Sequence, residues 1–200
     1  MMNERDDLMK RLTLTDILVT VIIAVVFAVV YRLWGPVNDS LKLFPLQINE
    51  LMYGMWFIAA TVAFLIIRKP GVALIAETAA ASGEFIVGSQ YGLEVLIYGV
   101  MQGLGAELVF ALFFYKSFSL MTTSLAGAAS AGGSFIMDWN RGYMFDLVGW
   151  NLTLVLVLRT LSGILIAGVF AYYLVKALEK TGVTDLLRPS SKADLETLEK

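Results

Sequence analysis

Six apolar windows run through this 200-residue chain, at roughly 13–34, 49–67, 71–88, 92–115, 118–138 and 148–178. A helix that crosses a hydrocarbon layer of about 30 Å needs about 20 such residues, and each window is near that length. The chain is 58% hydrophobic and 16% charged, against about 45–50% and about 25% in soluble domains. The expected fold is therefore all-α and membrane-integral, with six transmembrane helices in one bundle.

Turn chemistry separates the windows: Gly35-Pro36-Val37-Asn38-Asp39, Arg68-Lys69-Pro70-Gly71, Gly88-Ser89-Gln90 and Asp138-Trp139-Asn140-Arg141-Gly142, with a weaker break at Lys116-Ser117. The N-terminal flank has acidic residues and no small-residue cleavage site after the first window, so that window reads as a retained span. Residues 1–182 form one six-helix domain in this reading, and 183–200 a charged tail. Eleven basic residues fall on one side: Arg5, Lys10, Arg11, Arg68, Lys69, Lys116, Lys176, Lys180, Arg188, Lys192 and Lys200. Only Lys42 and Arg141 fall on the other. Positive charge stays inside, so both termini are expected in the cytoplasm of a multi-pass cell-membrane protein. Trp34, Tyr91, Trp139, Tyr143 and Trp150 in the outer connections suit an interfacial belt or, in the other reading, the gate of a pocket that opens outward.

The third window, GVALIAETAAASGEFIVG, carries Glu77 and Glu84 two helical turns apart. The fourth adds Glu94, Tyr98, Gln102 and Glu107, and the second opens with Glu50, Tyr53 and Trp56 at one-turn spacing. The sixth contributes Asn151 and Arg159. A buried ion is expensive unless paired, so Arg159 is expected to meet a carboxylate, either Glu107 or Glu77, in a structural ion pair. That leaves more acid than base inside the bundle. An outer pocket of Glu84, Tyr53, Trp56, Tyr98, Gln102 and Asn151, with Glu77 and Glu50 close by, would suit a flat, cationic, nitrogen-bearing ring. The small residues of the fifth and sixth windows read as internal helix packing, and Ala24 and Ala28 form a small-xxx-small pair in the first.

The chain has no cysteine and no histidine, which excludes disulfides, Cys/His zinc sites, thiol catalysis and a Ser-His-Asp triad. It has no GxxxxGK[ST] segment for ATP hydrolysis. Carboxylates without histidine make a poor transition-metal site, and no nucleophile stands out, so an intramembrane enzyme is disfavoured. No cofactor, metal or nucleic-acid partner is expected. A structural subunit without a small-molecule ligand stands as the other class.

The segments ELMYGMWF, IRKPGVALIAE, QGLGAE, SFIMD and RTLSGILIAG, with the A-x-x-x-A of the first window, resemble the YkoE-type S components of energy-coupling factor (ECF) transporters across residues 13–182. The resemblance implies a subunit that binds thiamin or its hydroxymethylpyrimidine precursor from outside. It also implies a transmembrane T component and ABC-type ATPases as partners, with Ala24 and Ala28 as the contact to the T component. An S component for another vitamin is the runner-up.

Overall fold

The computed structural model describes residues 11–147, 149–182 and 184. The tail at 183–200, Thr184 apart, and the basic residues Arg5, Lys10, Arg188, Lys192 and Lys200 lie outside them.

Thr13 starts the first helix, α1 (Leu14–Leu41), with a capping box: its side chain takes the Asp16 amide, and Asp16 Oδ2 takes the Thr13 amide at 2.7 Å. Asp16 also holds Lys69 at 2.6 Å, which ties the start of α1 to the turn that follows the second helix. The break predicted at Gly35-Pro36 does not occur, and α1 continues to Leu41. Side-chain bonds hold its last turns: Asn38 donates to the Asn49 carbonyl at 2.9 Å, and Gln90 donates to Asp39 at 2.7 Å. These offset the backbone bond that proline removes.

The next helix, α2 (Ile48–Ile67), lies at the centre. Its apolar window is 78% buried, against 39% for α1, α4 and α6. It changes pitch midway, with Ile48–Phe57 wound as a 3₁₀-helix and Ile58–Ile67 as an α-helix. Three-residue turns rarely persist beyond one or two repeats, and such a stretch inside a helix often marks a functional site. Around α2 stand α3 (Val72–Ile86), α4 (Glu94–Leu112), α5 (Leu120–Asn140) and α6 (Trp150–Lys180). A π-helical stretch, Gly163–Phe170, interrupts α6 beside the irregular half of α2. Ser162 joins the two, accepting from the Gly54 amide at 2.8 Å and donating to the Leu51 carbonyl at 2.7 Å.

The described residues thus form six helical rods. Of these, α1, α2, α4 and α6 are each long and apolar enough to cross a membrane. Small residues set how closely they pack. A methyl group on Gly133 would enter the Met101 carbonyl of α4, and one on Gly105 would enter the Ala129 carbonyl of α5, so both pairs of backbones touch.

Ala24 and Ala28 are used in the same way, contrary to their expected role as a partner contact. They are 2% and 3% exposed and face inward, where Ala28 meets Gly83 of α3. The outward face of α1 is instead aliphatic, with Ile22, Val25, Val26 and Val29 exposed. In this arrangement their methyl groups face the bundle interior.

Candidate functional site

A cavity of about 630 Å³ opens at the end of the bundle where α1 finishes and α2 begins. The pitch of α2 builds one wall. At three residues per turn, residues i, i+3 and i+6 stand in a straight row. Glu50, Tyr53 and Trp56 form such a row, and all three line the cavity. The Tyr53 and Trp56 rings pack with centroids 5.3 Å apart, and Tyr91 meets Trp56 edge-on at 5.8 Å. Glu84 of α3 and Tyr98 and Gln102 of α4 complete the walls, as the sequence led us to expect. Asn151 does not join them. It is exposed at the first turn of α6 and lies outside the cavity lining.

At the mouth, Tyr91 and Lys42 come from connecting segments. Burial pushes the Tyr91 phenol up, so it stays a neutral donor. Burial pulls the Lys42 ammonium down, but its hydrogen bond and ion pair with Asp39 at 2.7 Å outweigh this and leave it above its ordinary value.

The expected ion pair between Arg159 and Glu107 or Glu77 is not formed. Arg159 Nε holds Glu50 at 2.5 Å, and Nη1 holds Asp138 at 2.5 Å and Ser134 at 3.2 Å. Its guanidinium lies 3.8 Å from the centre of the Tyr53 ring. Tyr98 donates to Asp138, so one network joins α2, α4, α5 and α6 along the cavity wall. From the sequence Asp138 reads only as a turn residue, because it lies at the edge of the apolar window. Its spacing of four from Ser134 puts both on one face of α5, which runs on to Asn140.

Glu107 and Glu77 serve helix starts instead. Glu107 accepts the amides of Gly71 at 2.6 Å and Leu74 at 3.2 Å, capping α3. Glu77 Oε2 accepts the Ala60 amide at 3.0 Å and the Tyr31 hydroxyl at 3.0 Å, and that hydroxyl in turn accepts the Ala59 amide. These amides become orphans where α2 changes from 3₁₀ to α, and a carboxylate suits the positive end of a helix. Glu77 is therefore buried behind the cavity rather than lining it. Tyr31 does line it and was missed, although its inward face was legible from the spacing Ala24, Ala28, Tyr31, Gly35, Asn38.

Glu94 also lines the cavity and holds Arg141 at 2.6 Å, which leaves Glu84 as the lining carboxylate without an ion pair among the described residues. Glu84 is 1% exposed, Ser89 donates to its Oε1 at 2.9 Å, and its Oε2 has no partner. The Trp56 indole is near enough to act on this carboxylate, yet Trp56 Nε1, like Glu84 Oε2, has no hydrogen-bond partner. A buried acceptor and a buried donor, side by side and unused, are a recognition site in waiting.

Comparison with known proteins gives this geometry its context. A family described as the permease component of an ABC-type cobalt transport system matches residues 15–133. YkoE of Bacillus subtilis (strain 168), named as an HMP/thiamine permease, is 40% identical over 177 residues, covering 88% of each chain. The chain belongs to the YkoE-type S components of ECF transporters. A crystal structure of an ECF-transporter S component superposes with a TM-score of 0.84 at 35% identity, covering 94% of this chain and 96% of that one. Its relatives are membrane transport components, not enzymes. In this S component the cavity is walled by the 3₁₀ half of α2, with the Arg159 network on one side and Glu84 on the other.

Proposed function

We propose that this S component captures thiamin or its hydroxymethylpyrimidine precursor from outside the cell, through contacts with Glu84, Trp56, Tyr53, Tyr98 and Gln102. The observation that carries the reading is the pair of unpartnered atoms, Trp56 Nε1 and Glu84 Oε2, at a cavity of sufficient size. An aminopyrimidine offers the complement: an exocyclic amine to donate to Glu84 and a ring nitrogen to accept from Trp56. The thiazolium of thiamin adds a permanent cation, for which Glu84 and the aromatic row are suitable neighbours. Glu50 shapes this wall through Arg159. The name of the Bacillus relative supports the same ligand class.

Cobalt, named in the description of the matching family, suits these residues poorly. The chain has no histidine or cysteine, and Glu50 and Asp138 are already held by Arg159. In the proposed setting all six helices cross the membrane, residues 1–182 form the binding domain, and both termini face the cytoplasm. The cavity then opens outward, and a T component with ABC-type ATPases drives release inside.

The test is equilibrium binding by the purified protein in detergent. Sub-micromolar binding of thiamin or hydroxymethylpyrimidine, weakened at least tenfold by Glu84→Gln or Trp56→Ala, supports the site. Equal affinity in both variants rejects it, and tight binding of a different vitamin reassigns the ligand.

A further inference from the structure

Glu77 and Glu84 share a feature that capture of a vitamin leaves unexplained. Both are at most 1% exposed, and each keeps one carboxylate oxygen without a partner, Oε1 of Glu77 and Oε2 of Glu84. Seven residues apart on one face of α3, they lie about 10 Å from each other along the helix.

The surroundings supply little positive charge. Glu77 faces the Tyr31 hydroxyl from α1 and the Ala60 amide from α2, with Gly99 and Gly103 of α4 packed over it. Glu84 faces Ser89 and Tyr91 from the α3–α4 connection and Trp56 from α2. Arg32 of α1 acts on Glu84 from a distance, with no ion pair between them among the described residues. Arg159, the buried cation of the cavity wall, is held by Glu50 and Asp138. Lys42 at the cavity mouth is held by Asp39 at 2.7 Å, so two carboxylates stand against one distant cation. A buried carboxylate without a counter-charge takes up a proton rather than remain ionised, and in an interacting pair that proton belongs to the pair.

We propose that Glu77 and Glu84 hold one exchangeable proton between them in the empty protein, and that a cationic guest binds by replacing it. The guest's identity as thiamin rests on the reading above. As the thiazolium enters, the O–H bond of the acid breaks and both its electrons stay on oxygen. The proton leaves to solvent through the cavity mouth, and the second carboxylate becomes counter-ion to the guest. One positive charge enters and one departs, so the charge enclosed by the protein does not change. Tyr31 links the deeper acid to this exchange, because its hydroxyl bonds Glu77 while the residue lines the cavity.

Calorimetry in two buffers of different ionisation heat counts the protons. Thiamin should release most of one proton per molecule bound, and neutral hydroxymethylpyrimidine none. Over the pH range in which the empty protein still holds that proton, thiamin affinity should rise with pH by up to tenfold per unit, the linkage expected for one proton, while hydroxymethylpyrimidine affinity stays flat. Glu77→Gln keeps an acceptor for Tyr31 and Ala60 and should bind thiamin without release. Buffer-independent heats of thiamin binding, or undiminished release from Glu77→Gln, overturn the proposal. Infrared spectra of the ligand-free protein give a separate readout, a carbonyl band of a protonated acid that disappears in the Glu77→Gln/Glu84→Gln variant. Its absence from the natural sequence also overturns the proposal. If neither ligand binds, the vitamin reading falls, and the infrared band alone decides whether the proton is there.

Discussion

Arg159→Met tests the central electrostatic claim. The side chains of Arg159, Glu50 and Asp138 are 6%, 8% and 10% exposed, so the arginine neutralises two carboxylates with little help from water. Removing one partner from a buried ion pair typically costs about 3–5 kcal/mol, because the remaining charge is stranded. Here two are stranded, but the adjoining cavity lets water or a proton reach them, which keeps the expected loss in that range. For a domain of this size each kcal/mol lowers Tm by about 2–4 °C, giving a fall of roughly 6–20 °C. Thermal unfolding in detergent, followed by circular dichroism, measures it. The variant Arg159→Met/Glu50→Gln/Asp138→Asn removes all three charges and should recover most of the loss, since neutral replacement of a whole buried network is often tolerated. A Tm for Arg159→Met within about 2 °C of the natural protein would refute the argument.

Other substitutions probe separate parts of the structure. Trp56→Phe keeps an aromatic ring and removes the unpartnered N–H; ligand affinity should fall about tenfold, or about 1.4 kcal/mol, with no loss of thermal stability. Glu107→Ala uncaps α3 and should cost about 0.5–2 kcal/mol by thermal unfolding, with ligand affinity kept because Glu107 lies away from the cavity. Gly133→Ala drives a methyl group into the Met101 carbonyl and should separate α4 from α5, so size-exclusion chromatography should show mostly aggregated protein.

Hydropathy made the bundle legible. The window at 49–67 became Ile48–Ile67, and the one at 92–115 became Glu94–Leu112. The proline break in α1 misled because hydrogen bonds to the Asn49 carbonyl of α2 and from Gln90 of the α3–α4 connection hold the helix beyond it. Glu84, Tyr53, Trp56, Tyr98 and Gln102 could be grouped from depth and spacing alone, and they do line one cavity. The partner of Arg159 could not be read in this way. Depth suggested Glu77 or Glu107, but both accept from backbone amides left free where a helix changes pitch or starts beside them. Composition counts side-chain charges and is blind to the partial charges at helix ends. For the same reason part of the acid excess is taken up by backbone, as Glu107 is in capping α3, which leaves Glu77 and Glu84 without an ion pair among the described residues.

The pitch of Ile48–Phe57 makes the cavity wall a matter of length as well as composition. Ten residues extend about 20 Å as a 3₁₀-helix and about 15 Å as an α-helix. Relaxation to ordinary winding would draw the free end back by about 5 Å and rotate each third residue by about 60°, fanning Glu50, Tyr53 and Trp56 across a third of the circumference. Adding or deleting a single residue in this stretch would disperse the same three side chains without changing any of them.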